Sequence, residues 1–426
     1  MEENKLKVCL MNDSFPPLID GVAMTVLQYA NILYEKGHSP VVAVPRLKDA
    51  KDDYPFPVLR YQSVDLRKLV GYTAGNPFRV PTLKKAVEMK PDVLHSHCPF
   101  ASTFLARNIR QAYDAPLIFT YHSKFNVDIE KFFKSEKLQK MIYDLIVDNI
   151  SACDEIWTVS EGAGENLKSL GYQGDYTVMP NGVDMPKGRP ENEEVERVRE
   201  EYRIRKDVPA FLFVGRLMWY KGLKLILDSL AAIKAEGGRF RMIFAGGGNE
   251  TEEVKEYANK IGLTGEECTF AGEVRDRRKL RALYACADLF LFPSSYDTNG
   301  LVVREAAACA VPSVLLKGSC AAEGVKDGHT GFIIENNVAS MTAVLRECIA
   351  FPELMRKVGQ NAMDKIYISW EDSVAAALQR YYVLVEEKES GRLQTKRQKT
   401  DKIFNISGNI VQVIEKIKEP QKHWEE

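Results

Sequence analysis

Ala210-Phe211-Leu212-Phe213-Val214-Gly215-Arg216-Leu217 is an apolar run that breaks at a glycine and a cation. Lys221-Gly222 follows, and Leu223–Ala235 then carries helical spacing. A short run that is apolar at every position suits a strand buried on both faces, as in a parallel sheet covered by helices. The alternation continues downstream: Arg241–Phe244 reads as a strand, Glu252–Ile261 as a helix, and Thr269–Ala271, Leu289–Phe292 and Ser313–Leu316 as strands. An earlier series has the same texture. Leu6–Met11 reads as a strand and Val22–Tyr34 as an amphipathic helix stopped by Gly37. Ser39–Val44, Val93–His95, Leu117–Thr120, Glu155–Val159 and Tyr176–Met179 read as further strands, with a long helix over Lys134–Ile150. Two series of short strands and helices predict an α/β protein with two mostly parallel sheets.

Between the series the texture changes. Pro180-Asn181-Gly182 is a turn, Pro186 and Pro190 interrupt regular structure, and Glu191–Lys206 is a charged helical run. The predicted division is a first domain over 1–185, a linker with a charged helix over 186–206, and a second domain over 207–370. A helix over 371–387 and a charged tail over 388–426 complete the chain. In the tail, Ile403, Ile406, Ile410, Val413, Ile414 and Ile417 recur at threes and fours. They predict an amphipathic helix that packs on the body, on a partner subunit or on a membrane surface.

Composition narrows the function. With 426 residues, 45% hydrophobic and 27% charged, the chain can build large cores and is not a disordered polymer. A net charge of -1 gives no global attraction for nucleic acid. The eight cysteines contain no C-x2-C pair, which argues against a zinc ribbon or a disulfide scaffold and suits a reducing compartment. No basic leader precedes Leu6, and no apolar stretch is long enough to span a bilayer.

The chemistry-bearing residues gather where strands give way to helices, the edge at which open α/β sheets bind ligands. Ser14-Phe15-Pro16-Pro17-Leu18-Ile19-Asp20-Gly21 joins the first strand to its helix, and Gly21 would let a ligand approach the backbone. His95-Ser96-His97 ends one strand and His122 follows another. Of these imidazoles His122 is the functional candidate, and the other two suit core or supporting roles. Gly215, Arg216 and Lys221 put two cations beside a glycine turn and a helix start, which suits a diphosphate. Neither the dinucleotide nor the P-loop fingerprint is present. Gly246-Gly247-Gly248 is a second glycine turn that can admit a nucleotide. The strongest signal is Asp297-Thr298-Asn299-Gly300-Leu301-Val302-Val303-Arg304-Glu305, two carboxylates eight positions apart around a glycine and a helix start. Carboxylates accept pairs of hydroxyl protons, and the amides of Gly300, Leu301 and Val302 can meet phosphate.

Taken together, these motifs resemble the family-four retaining glycosyltransferases, over residues 5 to about 387. Val159-Ser160, Pro180-Asn181-Gly182-Val183-Asp184, Glu323-Gly324-Val325, Asp327-Gly328, Thr330-Gly331 and Ser369-Trp370-Glu371 add to the resemblance. It implies the GT-B fold, two Rossmann-like domains facing each other across a cleft. The first would take the acceptor and the second the nucleotide sugar, with the helix over 371–387 crossing back toward the first. It also implies hexosyl transfer from a nucleotide diphosphate sugar with retained configuration, no bound cofactor and no metal site. By position, Gly21 would help form the loop over the diphosphate and acceptor, and His122 would bind the donor sugar near O6. Arg216 and Lys221, beside Gly215 and Gly247, would bind the diphosphate; Glu305 would hold the ribose and Asp297 the sugar's O3 and O4 hydroxyls.

Two departures stand out. The family usually has Glu at the position of Asp297, with aromatic or Pro residues where Thr298 and Asn299 stand, so the carboxylate reaches about 1.5 Å less far. Asp20 stands where many members have glycine, and its Cβ and charge are expected to narrow or repel part of the acceptor side. No evident carboxylate serves a double displacement, which favours front-face substitution.

The resemblance to bacterial lipid-glucosylating members implies UDP-glucose, or its galactose epimer, as the favoured donor and GDP-mannose as the alternative; none of these residues discriminates uracil from guanine. Lys124, Lys131, Lys134, Lys137 and Lys140 interleave with Phe125, Ile129, Phe132, Phe133 and Leu138. That mixture suits either a solvated helix with a packed apolar face or an anionic membrane surface. The second option, with the resemblance to bacterial lipid glucosyltransferases and phosphatidylinositol mannosyltransferases, implies a lipid acceptor such as diacylglycerol and cell-envelope glycolipid synthesis. The expected location is the cytoplasm, at the inner face of the membrane if lipid is used. A soluble carbohydrate acceptor and a catalytically weak nucleotide-sugar-binding protein are the alternatives.

Overall fold

The computed structural model describes residues 5–18, 20–48, 50–65, 73–190 and 193–404. The chain divides into two compact units, Met1–Pro180 with Trp370–Glu426, and Asn181–Ser369.

The first unit is built on a seven-stranded sheet. Its strands are β1 (Lys7–Met11), β2 (Ser39–Pro45), β3 (Val58–Tyr61), β6 (Val93–Ser96), β7 (Leu117–Tyr121), β8 (Glu155–Thr158) and β9 (Thr177–Val178). β4 (Ser63–Asp65) and β5 (Thr73–Gly75) form a separate antiparallel pair. The sheet order is β3-β2-β1-β6-β7-β8-β9, and every pairing is parallel. Cys9 and Met11 of β1 pack into one core while Val8 and Leu10 pack into another, as the two-residue period of a strand covered on both faces requires. The helix Trp370–Glu389 belongs to this unit, because Trp370, Val374, Ala377 and Tyr381 complete the core on the Val8–Leu10 face.

The second unit has six parallel strands, β10 (Ala210–Val214), β11 (Arg241–Ala245), β12 (Cys268–Gly272), β13 (Leu289–Phe292), β14 (Ser313–Leu316) and β15 (Phe332–Ile334). Their order is β12-β11-β10-β13-β14-β15. Both orders reverse direction beside the first strand of the unit, which is the doubly wound, Rossmann-like topology. The reversal opens a crevice beyond the carboxyl ends of β10 and β13, the pair on which the candidate site is built.

The charged helix expected within 186–206 is part of the second unit. The helix Glu193–Glu201 buries Val195 and Val198 in the second unit's core, and only its outer face is charged. At the other end, Lys399–Phe404 forms a short 3-10 turn. It docks on the first unit because Arg107, fully enclosed, donates to Asp401 at 2.7 Å and lies 5.3 Å from the Phe404 ring centroid. The remainder of the amphipathic segment expected over Ile403–Ile417 lies outside the described residues. Among the described residues no helix is long and apolar enough to cross a membrane.

Candidate active site

The loops leaving β10 and β13 are tied together by charge. Lys221 ends a 3-10 turn after β10, and Asp297 lies in the loop after β13. The Lys221 ammonium donates to Asp297 Oδ2 at 2.9 Å, and the two side chains are only 12% and 21% exposed. Asp297 Oδ1 turns back on its own loop and accepts from the amides of Asn299 at 3.3 Å and Gly300 at 3.0 Å. Burial pushes the Asp297 carboxyl up, but Lys221 and these two amides outweigh it and hold it below its ordinary 3.8.

Gly300 takes φ 59°, a left-handed turn that starts the helix Leu301–Ala308 and favours glycine. Its amide is already used by Asp297, so it is not the free donor expected from the sequence. The amides of Leu301 and Val302, next in the first turn, have no partner among the described residues. They are the donors the helix start leaves over. Arg216 stands exposed at the end of β10, without a side-chain partner among the described residues. The unmatched positive potential of this unit's site therefore comes from Arg216 and two amides, while Lys221 is matched by Asp297.

The glycine turn after β11 divides into two roles. A Cβ on Gly246 would lie 1.9 Å from the Gly215 carbonyl oxygen, and one on Gly248 would lie 2.5 Å from that of Leu217. Leu217 N donates to Gly247 O at 2.9 Å, so two of the glycines let adjacent loops pack backbone to backbone. Gly247 alone of the three faces open space.

Glu305 lies inside the helix and is 8% exposed. Its Oε1 accepts from Arg277 at 2.9 Å and its Oε2 from Tyr284 at 3.0 Å. Sequence reasoning missed both partners, since nothing local ties positions 277 and 284 to 305. Arg304 was missed as well. Its guanidinium donates to the Asn299 backbone oxygen at 2.8 Å and to Asn299 Oδ1 at 2.5 Å, bracing the loop that carries Asp297. Burial draws its pKa down to about 10.

In the first unit Asp20 caps the helix Gly21–Glu35, its Oδ1 accepting from Val22 at 2.9 Å and Ala23 at 2.8 Å. The charge expected to repel an acceptor is therefore spent on helix amides, and those amides are not free for a ligand. Gly21 is exposed, with nothing within 4 Å of the position of a Cβ. His122, just beyond β7, is 7% exposed; burial lowers its pKa to about 3. Its Nε2 lies 2.9 Å from Nδ1 of His97. His95 is a core residue, held between the Tyr381 and Thr120 hydroxyls at 2.6 and 2.7 Å.

Each of the two units is Rossmann-like and carries ligand-competent groups at the carboxyl edge of its parallel sheet, the edge at which such folds bind ligands. Comparison with known proteins agrees. Residues 19–187 match the glycosyltransferase family 4 model and residues 194–365 the glycosyl transferases group 1 model. The chain belongs to this glycosyltransferase family and has the GT-B fold.

Among its relatives is an alpha-monoglucosyldiacylglycerol synthase of Streptococcus pneumoniae, 20% identical over 89% of this chain and 86% of that one. A GDP-mannose-dependent alpha-mannosyltransferase of Corynebacterium glutamicum is 24% identical over 78% of this chain and 77% of the relative. The Anabaena protein HepE, solved with UDP and glucose, superposes with a TM-score of 0.63 at 17% identity, over 91% of this chain and 99% of that one.

Proposed function

We propose that this glycosyltransferase moves a hexose, with glucose favoured, from a nucleoside diphosphate sugar to a hydroxyl acceptor with retention of configuration. The observation that carries the reading is the Lys221–Asp297 pair beside the Leu301 and Val302 amides, which are unpaired among the described residues, at the point where the second sheet reverses order. Such a site offers fixed positive potential to a diphosphate and a carboxylate to sugar hydroxyls.

In the proposed reaction the acceptor oxygen attacks the anomeric carbon from the face the diphosphate leaves. The departing phosphate oxygen takes the acceptor proton, so one C–O bond forms, one breaks, and no base is required. Arg216, Lys221 and the helix amides stabilise the charge that grows on the leaving group, which makes a metal unnecessary. Asp297 keeps one carboxylate oxygen for the Asn299 and Gly300 amides and presents the other, with Lys221, to the O3 and O4 hydroxyls. Glu305 is aligned by Arg277 and Tyr284 to accept from the ribose. Gly21 leaves room beside the acceptor, Gly247 beside the nucleotide, and His122 binds the sugar.

A lipid acceptor is favoured by the helices Phe125–Phe132 and Glu136–Ser151. Ile129 is buried, but Phe132, Met141 and Leu145 are 55%, 61% and 42% exposed, and Lys134, Lys137 and Lys140 are exposed around them. Five lysines over 124–145 are offset by Asp128, Glu130, Glu136 and Asp144, so apolar insertion contributes more to the attraction than charge does. GDP-mannose with a soluble acceptor forms the second reading, its donor favoured by the GDP-mannose-dependent relative.

A screen of UDP- and GDP-sugars in chelator, with diacylglycerol-containing anionic vesicles or soluble sugars as acceptors, tests the reading through nucleoside diphosphate release. Release from UDP-glucose that depends on vesicles and yields an α-linked product is expected. Turnover only with a divalent ion would remove the metal-free mechanism, and turnover only with GDP-mannose would replace the donor.

A further inference from the structure

His97 and His122 each stand one residue beyond a strand, His97 after β6 and His122 after β7. Because those strands are parallel neighbours, the two imidazoles come side by side. The Nδ1 of His97 and Nε2 of His122 are 2.9 Å apart, with the ring planes 22° from parallel, so one N–H lies between them. Burial holds both rings neutral near pH 7, lowering His97 well below 6.5 and His122 to about 3. A neutral imidazole has one N–H and one lone pair, so the shared proton fixes both tautomers.

Two arrangements are open to the pair. If His122 donated from Nε2, His97 would carry its proton on Nε2. That nitrogen is fully enclosed and has no hydrogen-bond partner among the described residues. If His97 donates from Nδ1, the enclosed Nε2 is a bare lone pair, which packed C–H groups tolerate. A buried N–H without an acceptor is the rarer and costlier defect. His95 cannot change the balance, because hydroxyls occupy both of its ring nitrogens. The second arrangement puts the His122 proton on Nδ1, which has no partner among the described residues but, unlike Nε2 of His97, is not fully enclosed, so its N–H is left open to a ligand.

We propose that His97 is a positioning residue that locks His122 as an Nδ1–H donor, which His122 offers to an oxygen of the substrate. The tautomer assignment rests on the structure alone; the use of the donor rests on the glycosyl-transfer reading above. His122 would then select for an acceptor lone pair on the sugar and resist protonation on binding.

The test uses the full-length chain with 15N-labelled histidine, the His122 signals being identified by their loss in His122→Gln. Long-range 15N–1H couplings are expected to report the Nδ1–H tautomer for His122 and for His97. An Nε2–H tautomer at His122 overturns the proposal without any activity measurement. In the second arm, His97→Asn places an amide N–H near the position of Nδ1, and His97→Leu removes the donor. The Asn variant is expected to keep kcat/KM for the nucleotide sugar within about threefold. The Leu variant is expected to lose about tenfold or more, the scale seen when partners that orient metal-bound imidazoles are removed. Free UDP binding should stay level in both. Equal losses in the two variants would overturn the positioning role. A wild-type chain without turnover on any sugar nucleotide would sink the glycosyl-transfer reading, while the tautomer would still be decided by NMR.

Discussion

The Lys221 ammonium and the Asp297 carboxylate meet at 2.9 Å across the loops that follow the two strands flanking the second unit's sheet reversal. Each group was expected to bind a different part of one ligand, and the structure makes them partners first. A cation pre-matched by a carboxylate costs less to hold in a partly buried site than a lone one. It also means that a substitution at either residue releases the other.

The pair should therefore be strongly non-additive. In a double-mutant cycle of Lys221→Ala and Asp297→Ala, a coupling of about 1–3 kcal/mol in unfolding free energy is expected, as for contacting charges sheltered from solvent. Coupling near zero would show the contact to be energetically idle. Asp297→Glu is expected to lower kcat/KM about thirtyfold, because the Asn299 and Gly300 amides are reached by a short side chain from two and three residues away. Their loss costs about 1 kcal/mol each. An increase in transfer with Glu would mean that the shorter acid only reaches the sugar poorly.

The glycine turn gives a contrast within three residues. Gly246→Ala puts a methyl 1.9 Å from a carbonyl oxygen at φ 144°, and should destabilise by at least about 3 kcal/mol. Gly247→Ala meets nothing within 4 Å and should change stability by less than about 0.5 kcal/mol while weakening nucleotide binding. Urea unfolding and UDP titration of both variants check the pair; unchanged UDP binding in Gly247→Ala would take that residue out of the site.

Much of this fold was legible because strands buried on both faces announce themselves as short apolar runs. Ala210–Val214, Leu289–Phe292 and Ser313–Leu316 have in the structure the bounds read from the sequence. Less legible was what depends on pairing across distance. Lys221 and Asp297 are 76 residues apart, and Arg277 reaches Glu305 over 28. No periodicity links such positions. Asp20 was misread for a different reason: an Asp directly before a helix is an N-cap signal, and the functional reading of its charge displaced the simpler one. His97 lay in plain view, yet its orphaned nitrogen appears only once β6 and β7 are neighbours.

Acid should expose the cost of burying His122 neutral. Its pKa is near 6.5 when unfolded and about 3 when folded, so between those values the unfolded chain binds the extra proton. Stability from this group is complete above 6.5 and is lost as pH falls through that window, at no more than about 1.4 kcal/mol per pH unit. His122→Asn should flatten the fall in unfolding free energy between pH 6.5 and 5 relative to the wild type. Identical slopes would mean that the imidazole titrates freely.

In the proposed site the second unit's sheet reversal holds the diphosphate through Arg216 and the Leu301 and Val302 amides, without a metal. Calorimetric titration of UDP and GDP into the full-length chain in chelator, for the wild type and Arg216→Ala, tests it most directly. Metal-free binding to the wild type is expected, weakened about tenfold or more in the variant, as loss of a charge-assisted hydrogen bond of about 1.5–3 kcal/mol implies. Binding that needs a divalent ion, or affinity unchanged by Arg216→Ala, would contradict it.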